Sequence, residues 1–527
     1  MAKIRVALCL GLAMLAAGTV PAQQAAPDYR NPRLAIEQRA ADLLARMTLE
    51  EKIGQLARQL AYREIIDTTG KYNTQTASMA FLLLFSPNSQ LNAQDGAVLR
   101  NAAQRYLVEK TRLGIPEIFM GEALHGFMSY GATSFPQALA LASTWDPALV
   151  RRVFTAAADE MASAGVEQAF TPVLDLARDP RWGRTEETYG EDPYLASRMA
   201  VAAVGGLQGE NYLIDRHHVV STAKHFAVHG QPEGGTNTAP GNYSERIIRE
   251  SFLVPFRAAI EEAQAGSVMA SYNEIDGIPS HVNSWLLDKV LRQEWGFRGY
   301  VVSDGGGLQM LVATHHVAAN FADAARQALA AGVDYDLSDG SVYRTLLEQV
   351  KQGRVPEWQI DRAVSRVLAT KFRLGLFENP YVDPDYAARI TNSAEHRQLA
   401  VKTAEKAIVL LKNDGNLLPL DLAKYKTIAV IGPNAPDVHL GGYSRDPARG
   451  VSILDGIRER AGAAANVVYS EGCRITEGKQ GWSAWYQDEV KVPSPEFQLK
   501  SIQAAVEVVR GADVAIVVVG ENESTNR

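Results

Sequence analysis

Helical segments alternate with short apolar strands from about residue 98 onward, and this alternation constrains the fold more than any other feature of the chain. Each apolar run stops at a polar side chain, and most of these side chains are ionisable. The residues at the ends of the runs are Glu122, Asp175, Lys224 with His225, Tyr272 with Asn273, Asp304, and Asp336 with Ser338. Strands that alternate with helices predict βα units and a parallel sheet.

Two parallel architectures fit this alternation. A doubly wound dinucleotide-binding sheet carries a GxGxxG fingerprint in its first strand–helix turn, and no strand here is followed by one. In a (β/α)8 barrel, the residues at the carboxyl ends of the strands converge at one mouth, where the active sites of such barrels are built. The polar strand ends therefore favour a (β/α)8 TIM-type barrel over residues 34–375.

The character of the chain changes at 376–395, where Pro and turn residues are frequent, and we interpret this stretch as a linker. A helix at 394–412 and a buried strand at 427–435 follow it, and a further helix covers 496–510. Together they predict a second α/β domain, an αβα sandwich over 396–527. The chain ends directly after an apolar strand, so we expect the sandwich to be truncated and the chain to be a fragment of a longer protein.

The first 22 residues have the layout of a cleavable secretory signal peptide. Lys3 and Arg5 precede an apolar run at 6–17, and small residues around Ala22 come before a polar stretch. The apolar run is too short to span a bilayer comfortably. We expect cleavage after Ala22, export of the mature protein to the periplasm or out of the cell, and no membrane span after cleavage.

Composition excludes several kinds of partner and site. The net charge of −7 argues against binding to nucleic acid or to an anionic membrane, because both need a basic face. After cleavage of the signal, Cys473 is the single cysteine, so no internal disulfide can form. Neither a CxxC-type spacing nor an HExxH motif is present, and we expect neither a metal nor a cofactor. The sequence leaves the oligomeric state open.

The stretch GYVVSDGGG at 299–307 carries the clearest chemical signal. Its apolar residues predict a buried strand, and the glycines that follow Asp304 leave open space beyond the carboxylate. Asp304 is then either a catalyst or a cap of its own loop. Asp175 and Asp336 are also candidates for loop caps, and we expect no function for the His315–His316 pair.

If the strand-end residues share one mouth, they suit a polyhydroxylated ligand, because each sugar hydroxyl both donates and accepts hydrogen bonds. A single Asp among them can attack an anomeric carbon when a second carboxyl group protonates the leaving oxygen. Retention of configuration then requires the two carboxyl groups to lie about 5–5.5 Å apart. Lys224 and Arg184 would keep nearby carboxylates ionised. Structural uses remain open for both, and for His225; for Arg184, in its polar loop, the ordinary alternative is a solvated side chain.

Five motifs follow one another along the chain. They are GEALHG (121–126), RDPRWGRTEETYGEDP (178–193), KHFAVHG (224–230), MASYNEIDG (269–277) and VVSDGG (301–306). In this order they resemble glycoside hydrolase family 3, as do the later phrases AIVLLKNDGNLLPL (407–420) and IAVIGPNA (428–435). The resemblance implies a barrel followed by a sandwich, with the active site between them. It also implies an exo-acting, retaining β-glycosidase that removes one terminal sugar at a time without a cofactor.

By this resemblance, Asp304 matches the nucleophile of the family. The positions that match sugar-binding residues are Glu122, Arg184, Lys224, His225 and Tyr272. In the family, the acid/base catalyst is a glutamate on a variable loop of the second domain. Glu521 and Glu523 are the candidates within the chain, and an acid beyond Arg527 is left open.

Two departures from the family pattern bear on the sugar. Many β-glucosidases of the family have Trp directly after the nucleophile, where this chain has Gly305. They also commonly have Asp at the position of Glu122, and glutamate there is more typical of xylosidase-like members. We predict a β-glucosidase acting on terminal non-reducing β-D-glucosyl residues of oligosaccharides or glycosides, with a β-xylosidase as the alternative. The β-N-acetylglucosaminidases of the family carry a KHFPGHG motif. This chain has Ala227-Val228 in place of its Pro-Gly, which argues against that activity.

Two hypotheses from other classes are kept. A lysine at a strand end, such as Lys224, is what a Schiff-base enzyme of the aldolase-type barrel requires. That hypothesis gives the second domain no role. The other hypothesis is a non-catalytic sugar-binding protein, which would bind an oligosaccharide without turnover.

Overall fold

The computed structural model describes residues 28–57, 91–444, 450–478, 491–522 and 524–525. Two sequence predictions fall outside the described residues: the signal peptide at 1–22 and the acid/base candidate Glu523.

The strands form two parallel sheets and one hairpin. They are β1 (Met120–Gly121), β2 (Gln168–Ala169), β3 (Val220–Phe226), β4 (Ser267–Ala270), β5 (Glu274–Ile275), β6 (Ile278–Pro279), β7 (Tyr300–Val302), β8 (Thr427–Ile431), β9 (Asn466–Ser470) and β10 (Val514–Val517). The first sheet has the order β1-β2-β3-β4-β7, and the second has the order β10-β8-β9. The antiparallel β5–β6 hairpin lies between β4 and β7 in sequence.

The first sheet confirms the parallel arrangement predicted from the alternating pattern. Every residue of β3 is buried, as expected for parallel strands whose two faces are both covered. Isolated bridges extend this sheet from Val302 to Tyr335 and from Asp336 to Ala57. Closure into an eight-stranded barrel stays a prediction.

Helices cover both sheets. The α-helices are Ile36–Arg46, Leu49–Gly54, Ala93–Lys110, Ala138–Ser143, Pro147–Ser163, Pro193–Gln208, Glu245–Ile247, Val254–Glu261, Gly307–Ala313, Phe321–Ala331, Leu346–Lys351, Glu357–Arg373, Pro384–Ile390, Ala394–Ala407, Ile453–Ala461 and Pro495–Arg510. The stretches Ile248–Phe252 and Trp285–Glu294 are π-helical.

Side chains cap the starts of several helices. Thr48 forms a capping box with Glu51, so that each side chain accepts a hydrogen bond from the backbone of the other. At the helix Pro147–Ser163, the Asp146 carboxylate accepts a hydrogen bond from Leu149 N at 3.0 Å. These side chains satisfy backbone donors that have no partner inside the first turn of a helix.

Apolar side chains form one large core around the first sheet and smaller groups against the second sheet. The larger group surrounds the first sheet and includes the fully buried rings of Phe154, Phe226 and Phe256. A smaller group lies against β8 and includes Ile428 and Leu454. Among the described residues, no helix is both long and apolar enough to cross a membrane.

The segment predicted as a linker, 376–395, contains the helix Pro384–Ile390, which packs against helices Ala93–Lys110 and Pro147–Ser163. The next helix ends at Ala407 and not at 412, and its Leu399 belongs to the larger core. Residues expected in the second domain therefore pack with the first. The predicted domain boundaries themselves stay predictions.

Candidate active site

Asp304 lies just beyond the carboxyl end of β7, at the place where the parallel strands of the first sheet end. Its backbone N–H donates to Nε2 of His281 at 3.1 Å, and Gly305 N donates to its Oδ1 at 2.7 Å. Its other oxygen, Oδ2, is buried and has no hydrogen-bond partner in the described part of the chain. The whole side chain is 12% exposed, and the backbone N–H of Gly305 holds Oδ1 while Oδ2 keeps its hydrogen-bonding capacity unused by the described residues.

Lys224 and His225 are neighbours in β3, yet both side chains reach the same site. In a regular strand, successive side chains point to opposite faces. The pairing of β3 with β4 shifts register between Ala223 and Phe226, and such an irregularity re-aims side chains. Lys224 Nζ lies 3.1 and 2.9 Å from the two carboxylate oxygens of Glu122. His225 Nε2 lies 3.7 Å from Oδ2 of Asp304.

Arg184 is buried and is not a solvated loop residue. Its guanidinium makes a two-pronged ion pair with Glu187, at 2.8 and 2.9 Å. It also donates to Nε2 of His229 and to Nε2 of His225, each at 3.0 Å. Because a guanidinium only donates, both imidazole rings accept at Nε2 and carry their proton on Nδ1. The Glu187 ion pair and the two rings fix the plane of the Arg184 side chain next to Asp304.

Asp175 does not only cap its loop. Its Oδ2 accepts hydrogen bonds from the backbone N of His225 at 3.0 Å and from Nδ1 of the same residue at 2.8 Å. It therefore orients the His225 ring. Asp336, in contrast, caps its loop as expected, by accepting bonds from Ser338 N at 3.2 Å and Tyr343 N at 3.3 Å.

Tyr272 follows β4 and lies beside the candidate nucleophile. Its hydroxyl donates to the carbonyl oxygen of Gly305 at 2.8 Å. Nε2 of His315 lies 2.9 Å from the Tyr272 carbonyl oxygen, and the His315 side chain is 6% exposed. His315 is thus a buried support of the Tyr272 backbone, which corrects the expectation that it has no role. His316 is exposed.

Burial governs the titration of these groups. Burial raises the pKa of Glu122 to about 7, and Lys224 opposes that rise. Burial also raises the pKa of Asp304, against the attraction of Lys224 and Arg184. For His225, burial and the nearby Arg184 charge hold the pKa well below its usual range, so that the ring is neutral.

Tyr443 is a site residue that sequence reasoning missed. It precedes a stretch outside the described residues and has no strand-end signal. Its ring centre lies 5.0 Å from Lys224 Nζ, a cation–π distance, and its hydroxyl lies 3.5 Å from Nη2 of Arg184. Burial is the largest cause that raises the Tyr443 pKa, and the negative charges of Glu187, Glu122 and Asp304 also oppose ionisation of its hydroxyl.

The acid/base candidates are less well placed. Glu521 lines a cleft of about 610 Å3 between the two domains, together with Trp182, Glu186 and Asn522. Within the described residues, the Asp304 carboxylate accepts a hydrogen bond from Gly305, and none joins it to Glu521. Glu523 lies outside the described residues. In the part of the chain that the structure describes, no group of three His, Cys, Asp or Glu side chains could hold a metal ion.

The site thus combines a buried carboxylate, whose Oδ2 has no hydrogen-bond partner among the described residues, with fixed donors and acceptors around it. The sequence-predicted residues that the structure brings together are Glu122, Arg184, Lys224, His225, Tyr272 and Asp304. A nucleophile for an acetal carbon and hydrogen-bonding groups for hydroxyls are the two requirements of a retaining glycosidase that this arrangement can meet.

Curated relatives of the chain are named as glycosidases. A β-xylosidase from Formosa agariphila is 36% identical to it, with 98% of this chain and 65% of the relative covered. A periplasmic β-glucosidase from Salmonella typhimurium is 35% identical, with 92% of this chain and 62% of the relative covered. The chain therefore spans less than two thirds of the length of these relatives.

A solved structure that resembles this chain is also that of a glycosidase. The β-glucosidase from Erythrobacter marinus is 40% identical and superimposes with a TM-score of 0.86, which covers 96% of this chain and 68% of that one. The family model for the glycosyl hydrolase family 3 N-terminal domain matches residues 48–370, and the model for the C-terminal domain matches 408–527. The chain belongs to glycosyl hydrolase family 3.

Proposed function

We propose that the protein is an exo-acting, retaining β-glycosidase that hydrolyses terminal non-reducing β-D-glucosyl residues. Asp304 attacks the anomeric carbon, the bond to the leaving oxygen breaks, and a second carboxyl group protonates that oxygen. Water then attacks the same carbon, gives its proton to the second carboxylate and releases Asp304. The observation that carries the proposal is the buried Oδ2 of Asp304, which lacks a hydrogen-bond partner among the described residues and lies beside His225.

We assign the sugar-binding role to the residues around this oxygen. Lys224 and Arg184 carry positive charge next to Asp304 and favour its ionised form, which is the nucleophilic form. Glu122, His225 and Tyr272 supply acceptors and donors for sugar hydroxyls. In this assignment the Glu122–Lys224 ion pair forms one rigid wall of the pocket for the terminal sugar.

The proton donor in this proposal comes from the second domain. Glu521 and Glu523 are the candidates within the chain, and a glutamate beyond Arg527 is a third. Glu521 lines a cleft between the domains whose lining does not include Asp304, so its assignment as the acid rests on the family resemblance. We further propose that the first sheet belongs to a (β/α)8-type barrel and that the protein is exported. The name of the periplasmic relative agrees with export.

A β-xylosidase is the second candidate, and Glu122 is the observation that favours it. Xylose lacks the hydroxymethyl group of glucose, and a glutamate reaches further into the pocket than an aspartate does. Gly305 supports the opposite assignment, because a Cβ built there meets only the Tyr272 hydroxyl, at 3.8 Å, which leaves open space for a larger sugar or aglycone. The relatives carry both names.

The Schiff-base hypothesis is disfavoured by the ion pair of Lys224. A lysine that attacks a carbonyl carbon must be an uncharged amine, whereas Lys224 Nζ lies 2.9 Å from a Glu122 carboxylate oxygen. Treatment with borohydride and a keto substrate should leave no adduct on Lys224.

The test is turnover of a panel of aryl β-glycosides by the wild-type protein and by Asp304→Ala. The panel contains glucoside, xyloside, galactoside and N-acetylglucosaminide, each with a 2,4-dinitrophenyl leaving group that needs little protonation. This leaving group makes the release of dinitrophenolate depend on Asp304 and not on the acid. We expect release from the glucoside at the highest kcat/KM and none with Asp304→Ala. Binding of the sugars without release by the wild-type protein would instead identify a sugar-binding protein.

A further inference from the structure

A loop of the second domain is held against the first domain by three side chains. We call residues 439–444 the docking loop and the side chains of His125, Gln137 and Glu186 the clasp. Gln137 Nε2 donates to the carbonyl oxygens of Leu440 at 2.8 Å and Gly442 at 3.0 Å. Since these contacts join two segments about 300 residues apart in sequence, they are a tertiary feature of the site.

The orientation of the Gln137 amide is fixed by its surroundings. Its nitrogen also lies 3.2 Å from Nε2 of His125, whose Nδ1 lies 2.8 Å from the carbonyl oxygen of Phe135. Nδ1 therefore donates to Phe135. Nε2 of the same ring lies 3.2 Å from the Gly442 carbonyl oxygen and 3.2 Å from Ser444 Oγ, so that His125 also contacts the docking loop. Because carbonyl oxygens only accept, the two carbonyl oxygens of the docking loop must face the Gln137 amide nitrogen. The Gln137 Oε1 atom has no hydrogen-bond partner among the described residues. Gln137 thus serves the docking loop as a donor and not as an acceptor.

Glu186 also holds the docking loop. Its Oε1 accepts a hydrogen bond from Gly442 N at 2.7 Å. Gly441 has a φ of +80°, and a Cβ built there would collide with the side chains of Gln137 and Glu186. A glycine is therefore required where the loop backbone touches the clasp.

The docking loop carries Tyr443 to the candidate active site. The Tyr443 ring lies over Lys224, and its hydroxyl lies 3.5 Å from Arg184. Tyr443 is the next residue after Gly442, whose N–H and carbonyl oxygen are both bound by the clasp. A shift of the Gly442 backbone would therefore move Tyr443 relative to both cationic side chains.

We propose that Gln137 and Glu186 are positioning residues: they hold the docking loop so that Tyr443 closes over Lys224 and Arg184, and in this way they set the affinity for the terminal sugar. The proposal rests on the proposed function, because it assumes that Lys224 and Arg184 bind that sugar. A misplacement of about 1 Å by a remote substitution is enough to cost on the order of a hundredfold in rate.

Two pairs of substitutions separate positioning from packing. Gln137→Glu keeps the shape of the side chain but turns an acceptor toward two carbonyl oxygens, whereas Gln137→Met keeps only the apolar stem. Glu186→Gln keeps an acceptor for Gly442 N, whereas Glu186→Leu removes it. We expect Gln137→Glu and Glu186→Leu to raise KM for the aryl glycoside at least about tenfold with a smaller change in kcat. Glu186→Gln should stay within about threefold of the wild type, and Gln137→Met should be intermediate.

Matched controls and a double-mutant cycle complete the test. Gln398→Glu and Glu191→Gln make the same chemical changes at exposed positions and should leave KM unchanged. In a Tyr443→Ala background, Gln137→Glu should have less than about a twofold further effect, because its action passes through Tyr443. An additive effect in that background, or equal KM values for all clasp variants and the wild type, would overturn the proposal.

The outcomes also distinguish this proposal from the proposed function. If the wild-type protein turns over no aryl glycoside, the proposed function fails. If the wild-type protein is active and the clasp variants equal it, only the positioning role fails. Should Gln137→Glu not fold, as judged by its thermal melt, the KM values of Glu186→Gln and Glu186→Leu decide the question by the same comparison.

Discussion

Asp175 holds His225 by two hydrogen bonds to a single carboxylate oxygen, one from the backbone N at 3.0 Å and one from Nδ1 at 2.8 Å. The other carboxylate oxygen of Asp175 accepts from Gly230 N at 3.3 Å. The His225 ring is therefore fixed both in its orientation and in its tautomer, with Nε2 turned toward Arg184 and Asp304.

Removal of the Asp175 carboxylate should release His225. We expect Asp175→Ala to lower kcat/KM for an aryl glycoside by about 10- to 100-fold, because a buried ring without its partner loses its fixed orientation. Asp175→Asn should cost less, since its amide oxygen can accept both His225 bonds and only the Gly230 bond is lost. A kcat/KM for Asp175→Ala within about twofold of the wild type would contradict this role.

The acidic limb of the pH profile of kcat/KM should lie at a higher pH than it would if carboxyl groups of ordinary pKa controlled it. Burial raises the pKa of Glu122 to about 7 and also raises that of Asp304. Because the ionised forms are the active ones, kcat/KM should fall as the pH drops below about 7. In Glu122→Gln the remaining limb should move to lower pH, since one negative charge near Asp304 is gone. Glu191→Gln, at an exposed position, is the control and should leave the acidic limb in place. An unchanged limb in Glu122→Gln would refute the assignment of this limb to Glu122 and Asp304.

The choice between glucoside and xyloside should depend on the length of residue 122. Glu122→Asp withdraws the carboxylate by one methylene and leaves room for the hydroxymethyl group of glucose, which xylose lacks. We expect the ratio of kcat/KM for glucoside over xyloside to rise by about tenfold, the usual scale for one methylene in a pocket. The measurement uses the two aryl glycosides under identical conditions, and an unchanged or lower ratio would exclude Glu122 as a determinant of the sugar.

The strand-end residues could be found from the sequence because position in a parallel sheet determines where they lie. Asp304, Lys224 and Tyr272 all belong to or follow buried apolar runs, and parallel strands bring their carboxyl ends to one edge. Tyr443 and the clasp could not be found in this way, because no local pattern shows that the docking loop crosses to the first domain. The contact depends on how the two domains pack, which neither periodicity nor spacing describes.

Other differences arise where composition and local signals disagree. Composition alone predicts a linker around the helix Pro384–Ile390, because Pro and Asp residues are frequent there. Yet Asp383 is its N-cap and Pro384 its first residue, which is a standard start for a helix. The polar loop around Arg184 favours a solvated side chain, but the pairing with Glu187 allows its burial.

Glu160 should be important for stability where the helix Ala394–Ala407 meets the first domain. Its buried carboxylate accepts hydrogen bonds from Thr133 N at 3.0 Å, Thr133 Oγ1 at 2.6 Å and Asn392 N at 3.0 Å, and His396 Nδ1 lies 2.8 Å away. Glu160→Ala would leave these buried donors without an acceptor, so we expect the free energy of unfolding to fall by about 3 kcal/mol. Urea unfolding followed by circular dichroism measures the change. Glu395→Ala, at an exposed position on the helix Ala394–Ala407, is the control. Equal losses of unfolding free energy in both variants would contradict the prediction.

Covalent labelling examines the assignment of the nucleophile without any substitution in the protein. A 2-deoxy-2-fluoro glucosyl donor with a dinitrophenyl leaving group forms a glycosyl-enzyme that hydrolyses slowly, because the fluorine destabilises the oxocarbenium-like transition state. Peptide mass mapping of the inactivated protein should find the sugar on Asp304, at one equivalent per chain. A label on any other residue would show that Asp304 is not the nucleophile.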